Sequence, residues 1–257
     1  MNENSNERPS GEELSPPASL LFQLYEYRRP ILVILLFLAT SIVLLTVPLH
    51  TLRAIFYVLI AQRLLVFLLV IFSLLALSLL WAEGEQLDRD VFLFFNQHGL
   101  RTQGSDRFMW IITQLGNGIF AFLLAGVFYF LGMHRLGIGI VLGTLTLWLT
   151  VEITKILADR ARPFLTLAQT TIVGWRERGR SFPSGHTSQT FFLATLLVLH
   201  FHLGIVGSLL LYSIAAFVGF TRVYIGVHYP RDVLGGAILG SVWGILGALV
   251  DAHVRRS

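Results

Sequence analysis

Apolar residues dominate this chain in runs that end abruptly at short polar breaks. The firmest runs are Leu64 to Trp81, Ile119 to Leu131, Leu136 to Ile156, Thr187 to His202, Gly204 to Phe220 and Val233 to Val250. Several approach the roughly 20 residues that a helix needs to cross a bilayer. The run at Ile119 either takes in Met109 to Leu115 or begins near Gly116. An earlier run, Ile31 to Val47, follows Arg28-Arg29-Pro30 and is near the short limit for a span. Ala54 to Arg63 reads as an interfacial helix or a helical extension. The pattern predicts an all-α polytopic membrane protein. It also predicts an extra N-terminal hydrophobic helix ahead of these runs.

The pattern changes between Glu83 and Arg107. Leu87, Val91, Phe94 and Phe95 recur at helical spacing, with Asp88, Arg89, Asp90 and Asn96 between them. This predicts an interfacial amphipathic helix, either lying on the membrane surface or packing against the protein. Met1 to Leu20 is rich in Asn, Glu, Ser and Pro and cannot bury enough apolar area to fold alone. A polar, acidic stretch ahead of the first apolar run is unlike a secretory signal. The expected organisation is a polar tail over 1–28, a hydrophobic segment over 29–63 and the membrane core over 64–252.

Composition sharpens this picture. The chain has 257 residues, is 54% hydrophobic and carries 13% charged residues, against roughly 25% in soluble domains. It has no cysteine, which excludes disulfides. The net charge of +4 is modest, and no basic run alternates with aromatics, so no nucleic-acid partner is indicated.

Counting spans sets a topology. Met133 to Arg135, His200 to Leu203 and the Val254-Arg255-Arg256 tail fall on one side. Glu83 to Arg107, Leu157 to Phe182 and Arg222 to Asp232 fall on the other. The positive-inside rule assigns the side of Arg135 and Arg255-Arg256 to the cytoplasm. On that count Arg28 and Arg29 lie outside if Ile31 to Val47 spans, so the side of the N-terminus stays open.

Three polar clusters then share the extracytoplasmic face. The first is Lys155 with Arg162-Pro163. Glu152, three residues before Lys155, shares its helix face and can pair with it. Arg160 also lies in the loop, and Pro163 disfavours helix at Arg162. The second is Pro183-Ser184-Gly185-His186, directly before an apolar helix, where free backbone N–H groups and the helix dipole favour an anion. The third is Arg222, His228 and Asp232, with Pro230 suited to the first turn of the last helix. Taken singly, each has a bland explanation: a snorkelling lysine, a capping serine, a His–Asp pair tying a loop to a helix. Taken together, they offer cations to grip phosphate oxygens, two imidazoles for nucleophilic or acid–base work, and a carboxylate to fix a tautomer.

Their order and spacing resemble the three-part signature of the type 2 phosphatidic acid phosphatase superfamily: Lys155-x6-Arg162-Pro163, Pro183-Ser184-Gly185-His186, then Arg222-x5-His228-x3-Asp232. The resemblance covers about Leu64 to Val250. Thr221 stands where the family often has serine, and it keeps the hydroxyl. The resemblance implies a six-helix transmembrane core and a metal-independent membrane lipid phosphatase with no cofactor. It implies that His228 attacks phosphorus to form a phosphohistidine and that Asp232 orients it. His186 would protonate the leaving oxygen and help activate water. Lys155, Arg162, Ser184, Gly185 and Arg222 would hold the phosphate.

The implied partner is a lipid phosphate in the bilayer: an isoprenyl diphosphate, phosphatidic acid, phosphatidylglycerol phosphate or phosphorylated lipid A. The implied location is a bacterial inner membrane with an extracytoplasmic site. A phosphotransferase passing phosphate to a second lipid or a sugar would use the same residues. A catalytically silent lipid-binding protein would leave some of these positions vacant. Neither the lipid nor the oligomeric state can be read from the residues.

Overall fold

Lipid offers backbone groups no water to bond, so a long apolar segment satisfies them internally as a helix. The computed structural model describes residues 20–49, 62–98 and 101–254, and they form helices in that way. The chain divides into two units, 1–48 and 49–257. The first contains α1 (Leu20–Thr46), which continues through Pro30. It begins inside the stretch assigned above to a polar tail over 1–28. The rest of that tail over 1–19, the stretch over 54–61 and Arg255-Arg256 lie outside the described residues.

The second unit contains α2 (Arg63–Ser78), α3 (Ala82–Gln97), α4 (Gln103–Thr113), α5 (Gly118–Phe130), α6 (His134–Ala158), α7 (Gly185–His200), α8 (Ile205–Tyr224) and α9 (Pro230–Val254). A single turn, Pro163–Thr166, interrupts the long connection between α6 and α7. Among the described residues α6, α8 and α9 are each long and apolar enough to cross a membrane. The count reaches five if α2–α3, bent by 95°, and α4–α5, bent by 57°, each form one span. The six-helix count expected from the sequence also included α7. That helix has 16 residues and buries Thr187, Ser188, Gln189, Thr190 and Thr195. Such polarity suits a helix sheathed by others rather than one facing lipid.

Helix α7 is accordingly the centre of the unit, packed against α9 and α8. Glycines at four-residue spacing let α9 lie directly on the α7 backbone, the close approach that small residues permit between membrane helices. A Cβ at Gly240 would sit 2.1 Å from the Ser188 carbonyl oxygen. Around this contact Ile140, Leu147 and Val151 of α6, Phe192 and Leu196 of α7 and Leu239 of α9 form the apolar core.

Helix α3 has two faces. Gly84, Asp88, Phe92 and Asn96 are buried at a four-residue spacing. The apolar stripe predicted from the sequence points elsewhere, with Leu87, Phe94 and Phe95 exposed. The helix thus packs through a mixed polar face and leaves its apolar stripe free for lipid. Asn96 donates to the Tyr224 carbonyl at 2.9 Å, satisfying a backbone oxygen at the end of α8. Arg101 donates to that same carbonyl at 2.6 Å. These bonds fix the turn that leads into the site.

Candidate active site

The fold brings the three sequence clusters to one end of the helices. Lys155 lies in the last turn of α6, Ser184 precedes α7, Arg222 lies in the last turn of α8 and Asp232 lies in the first turn of α9. Arg162 has the extended backbone expected before proline, with φ −77° and ψ 154°. The connecting turn after α8 depends on Gly226, at φ +89°, where a Cβ would meet the Thr171 carbonyl oxygen at 2.4 Å. That turn carries His228 inward, and its backbone N–H donates to the Arg222 carbonyl at 3.2 Å.

Arg162, Ser184, Arg222, His228 and Asp232 are all buried. Burial of two guanidinium groups demands compensation. Arg162 donates to the carbonyls of Val227 at 3.1 Å, Arg178 at 3.2 Å and Gly179 at 3.3 Å. Arg222 donates to the Thr113 hydroxyl at 2.8 Å. Both arginines also meet Glu177: Arg162 Nη1 lies 3.0 Å from Oε2, and Arg222 Nη2 donates to Oε1. Lys155 pairs with Glu152 at 2.8 Å, as the helix spacing predicted.

The imidazole of His228 has a defined polarity. Arg162 Nη1 lies 3.3 Å from its Nε2, and a guanidinium has only donors. Nε2 therefore presents its lone pair toward the cations, and the ring proton sits on Nδ1. Nδ1 faces Asp232 Oδ2 at 3.5 Å, an ion-pair distance rather than a hydrogen bond. Burial first, then Arg162 and Arg222, push His228 well below its ordinary pKa, so the ring is neutral. Asp232 itself is held firmly. Its carboxylate accepts from Arg160 Nη1 at 2.7 Å, from the Tyr229 N–H at 2.8 Å and from the Ser181 hydroxyl.

Ser184 occupies the N-cap position of α7, yet its hydroxyl makes no capping bond. It accepts from Thr187 Oγ1 at 2.9 Å, while its N–H donates to the Asp232 carbonyl at 2.9 Å. His186 and Gly185 line a cavity of about 520 Å³ together with Lys155, Arg162 and His228. Ser184, Arg222 and Asp232 stand behind that surface. Among the described residues no cluster of His, Asp and Glu suits a metal ion.

Sequence reasoning missed four participants. Glu177 lies in the long polar connection between α6 and α7 and, like Ser181 and Thr113, carries no motif. Arg160 was visible but without a role. It bridges Asp232 and Asp88, with its guanidinium carbon 4.2 Å from the centre of the Tyr229 ring. The one available signal was Asp88 itself, an acid at four-residue spacing from Gly84, Phe92 and Asn96.

Fold and cavity define a helical membrane protein with a buried, cation-lined pocket at one end of its spans. Residues 135–255 match the PAP2 superfamily. That stretch holds all three clusters, and the chain is similar to membrane lipid phosphatases of the PAP2 kind. It is 26% identical over 194 residues to an undecaprenyl-diphosphatase of Sulfolobus acidocaldarius, across 72% of this chain and 90% of the relative. A lipid A 1-phosphatase of Rhizobium johnstonii is 37% identical over 76 residues, 28% of this chain and 29% of that one. Among solved structures, the first transmembrane PAP2 type phosphatidylglycerolphosphate phosphatase from Bacillus subtilis superposes with a TM-score of 0.65. It is 26% identical, over 74% of this chain and 96% of that chain.

Proposed function

We propose that the protein hydrolyses a lipid phosphate or diphosphate without a metal, through a phosphohistidine on His228. One observation carries the reading: the neutral, lone-pair-bearing Nε2 of His228 lies 3.3 Å from the Arg162 guanidinium inside a cavity shared with Lys155 and His186. A phosphoryl group held by those cations would sit within reach of that nitrogen.

In the first step Nε2 forms a bond to phosphorus and the bond to the leaving oxygen breaks. His186 gives its proton to that oxygen. Asp232 balances the positive charge that develops on the His228 ring. Lys155, Arg162 and Arg222 offset the charge on the phosphoryl oxygens, the role a metal fills elsewhere. Ser184 and the N–H of Gly185 at the start of α7 add donors to the same oxygens. In the second step His186, now neutral, takes a proton from water as that water attacks phosphorus. The P–N bond breaks, and inorganic phosphate leaves with His228 restored.

The cavity supports a lipid rather than a soluble substrate. It runs from the polar residues to Phe122, Leu145 and Trp148 between α5 and α6. A second groove of about 300 Å³ continues past Phe122 along Ala125, Gly126, Gly137 and Val141. A headgroup in the pocket would leave its tail along this apolar path, in contact with the bilayer. Homology to diphosphatases and monoester phosphatases alike leaves isoprenyl diphosphate and phosphatidylglycerol phosphate as the leading substrates. We read the pocket as extracytoplasmic, because Arg135 marks the opposite end.

Phosphate release by purified protein across isoprenyl diphosphate, phosphatidic acid, phosphatidylglycerol phosphate and phosphorylated lipid A tests the substrate class. One dominant lipid identifies the pathway chemistry. Equal rates on all four define a broad phosphatase. Wild-type release by His228→Ala at equal expression would sink the phosphohistidine mechanism. Label appearing on a second lipid instead of in free phosphate would make the protein a phosphotransferase.

A further inference from the structure

The reacting pocket already contains an anion from the chain itself. Glu177, on the connection between α6 and α7, spans the two buried arginines of the site. Its Oε2 lies 3.0 Å from Arg162 Nη1, and its Oε1 accepts from Arg222 Nη2. The same Oε2 is 4.0 Å from His228 Nε2. A carboxylate and a phosphate engage guanidinium groups through the same geometry, two oxygens on two N–H donors. Glu177 therefore occupies the donors that a substrate phosphoryl group would need.

We propose that Glu177 is an internal competitor for the phosphate cradle, seated when the site is empty and displaced when a lipid phosphate enters. This rests on the reading of Arg162, Arg222 and His228 as a phosphoryl site. It goes beyond that reading by giving a specificity role to a residue outside the three motifs.

The geometry allows displacement. The Glu177 side chain is 29% exposed, whereas those of Arg162 and Arg222 are 2% and 1% exposed, so the carboxylate reaches them from the mouth of the pocket. Its backbone need not move. The adjacent carbonyls of Arg178 and Gly179 stay bonded to Arg162, and rotation of one side chain clears the donors. Burial opposes ionisation of Glu177, but the guanidinium groups of Arg222 and Arg162 outweigh it and hold the carboxyl below the usual carboxylate range. The competitor is thus charged throughout the neutral range.

Competition of this kind selects by anchoring. If the open pocket is only a fraction of the population, every free anion binds more weakly by that fraction. Inorganic phosphate, the product, has nothing else to offer and is kept out. A lipid phosphate adds the burial of its tail along Phe122 and Leu145 and is already concentrated in the bilayer, so it pays that penalty and still binds. Glu177 thereby suppresses product inhibition and rejects small soluble phosphates.

The test is orthovanadate and inorganic phosphate binding by the full chain in detergent, measured by titration calorimetry on wild type, Glu177→Gln and Glu177→Asp. Each variant is first checked for an unchanged melting temperature. Glu177→Gln should bind both anions about tenfold more tightly or better, the gain expected if the seated carboxylate holds about nine-tenths of the population. Glu177→Asp, too short to span both arginines, should fall between. The inhibition constant of inorganic phosphate against lipid hydrolysis should drop in parallel. Equal or weaker anion binding by Glu177→Gln overturns the proposal while leaving the phosphoryl site intact. Lower kcat with unchanged anion affinity would make Glu177 a substrate contact, which also overturns it. No binding by any of the three proteins would overturn the phosphoryl site itself.

Discussion

Asp88 in α3 and Asp232 in the first turn of α9 share one guanidinium, that of Arg160, which donates to Asp232 at 2.7 Å and to Asp88 from its other nitrogen. Burial would disfavour the Arg160 charge, but the two aspartates more than offset this and raise its pKa. Asp88 also accepts from the Arg231 N–H at 2.9 Å. A helix remote from the three motifs thereby holds the carboxylate that faces His228.

Asp88→Asn is therefore expected to act at a distance. It deprives two half-buried arginines, Arg160 and Arg231, of a carboxylate, and the cost should fall below the roughly 3–5 kcal/mol of a fully buried pair. Asp88 does not line the pocket, so kcat should fall while KM stays near wild type. Arg160→Lys should recover part of the activity of Arg160→Leu, because one charge–charge contact to Asp232 survives. Equal kcat for wild type and Asp88→Asn would remove any positioning role for the network.

A second prediction separates the two histidines. His186→Ala loses the proton donor for the leaving oxygen, and such a loss typically costs about 10²–10⁴ in rate. A p-nitrophenolate leaving group needs no proton. His186→Ala should therefore still be phosphorylated by p-nitrophenyl phosphate, yet hydrolyse the intermediate slowly. Acid-labile, base-stable phosphate should accumulate on the protein and be absent from His228→Ala. Its appearance in His228→Ala would assign the nucleophile elsewhere.

The pH behaviour of His228 has a definite sign. Burial, Arg162 and Arg222 lower its pKa, and the Glu177 carboxylate is the opposing influence. The neutral ring should persist below about pH 6.5, where a free imidazole titrates. A depressed histidine contributes stability that is present above about pH 6.5 and is lost as pH falls from there toward the folded-state value. Removing the opposing charge in Glu177→Gln should lower the folded-state value further. Nitrogen NMR of labelled histidine in wild type and Glu177→Gln reads this directly. An upward shift in the variant would contradict the electrostatic assignment.

The helix packing predicts a mutation with two readouts. At Gly240 a Cβ would lie 2.1 Å from the Ser188 carbonyl, with backbone rather than a flexible side chain in the way. Gly240→Ala must push α9 off α7, and overpacking of this kind costs about 1–3 kcal/mol. The same shift strains the 2.9 Å bond from the Ser184 N–H to the Asp232 carbonyl. The melting temperature and kcat should fall together. Gly139→Ala is a control, since its Cβ would meet nothing within 4 Å.

The clusters were legible in sequence because each one stands where an apolar run stops, so polarity and position mark them together. Lys155, Ser184, Arg222 and Asp232 are all helix-end residues, and counting runs was enough to bring them to one face. Glu177 was illegible for the opposite reason. It sits between Arg176 and Arg178 in a polar connection, and only the fold reveals that its partner is Arg222, 45 residues away. The buried face of α3 was hidden by mixed polarity, because Asp88 and Asn96 lie on it while Leu87 and Phe94 do not. The bends between α2 and α3 and between α4 and α5 were not readable, since composition does not encode a 95° or 57° turn.

The side of the membrane that holds the pocket is open to direct measurement, and the absence of cysteine makes the measurement clean. Arg176→Cys puts a thiol on an exposed residue beside the pocket mouth, and Met133→Cys puts one at the opposite end of α5 and α6. If Arg135 marks the cytoplasm, a membrane-impermeant maleimide added to intact cells should label Arg176→Cys and spare Met133→Cys. Disrupting the membrane should make Met133→Cys reactive. Labelling at Met133→Cys alone would reverse the orientation. The substrate would then have to be drawn from the cytoplasmic leaflet, and an extracytoplasmic lipid such as one carrying a phosphate released after export could not reach His228.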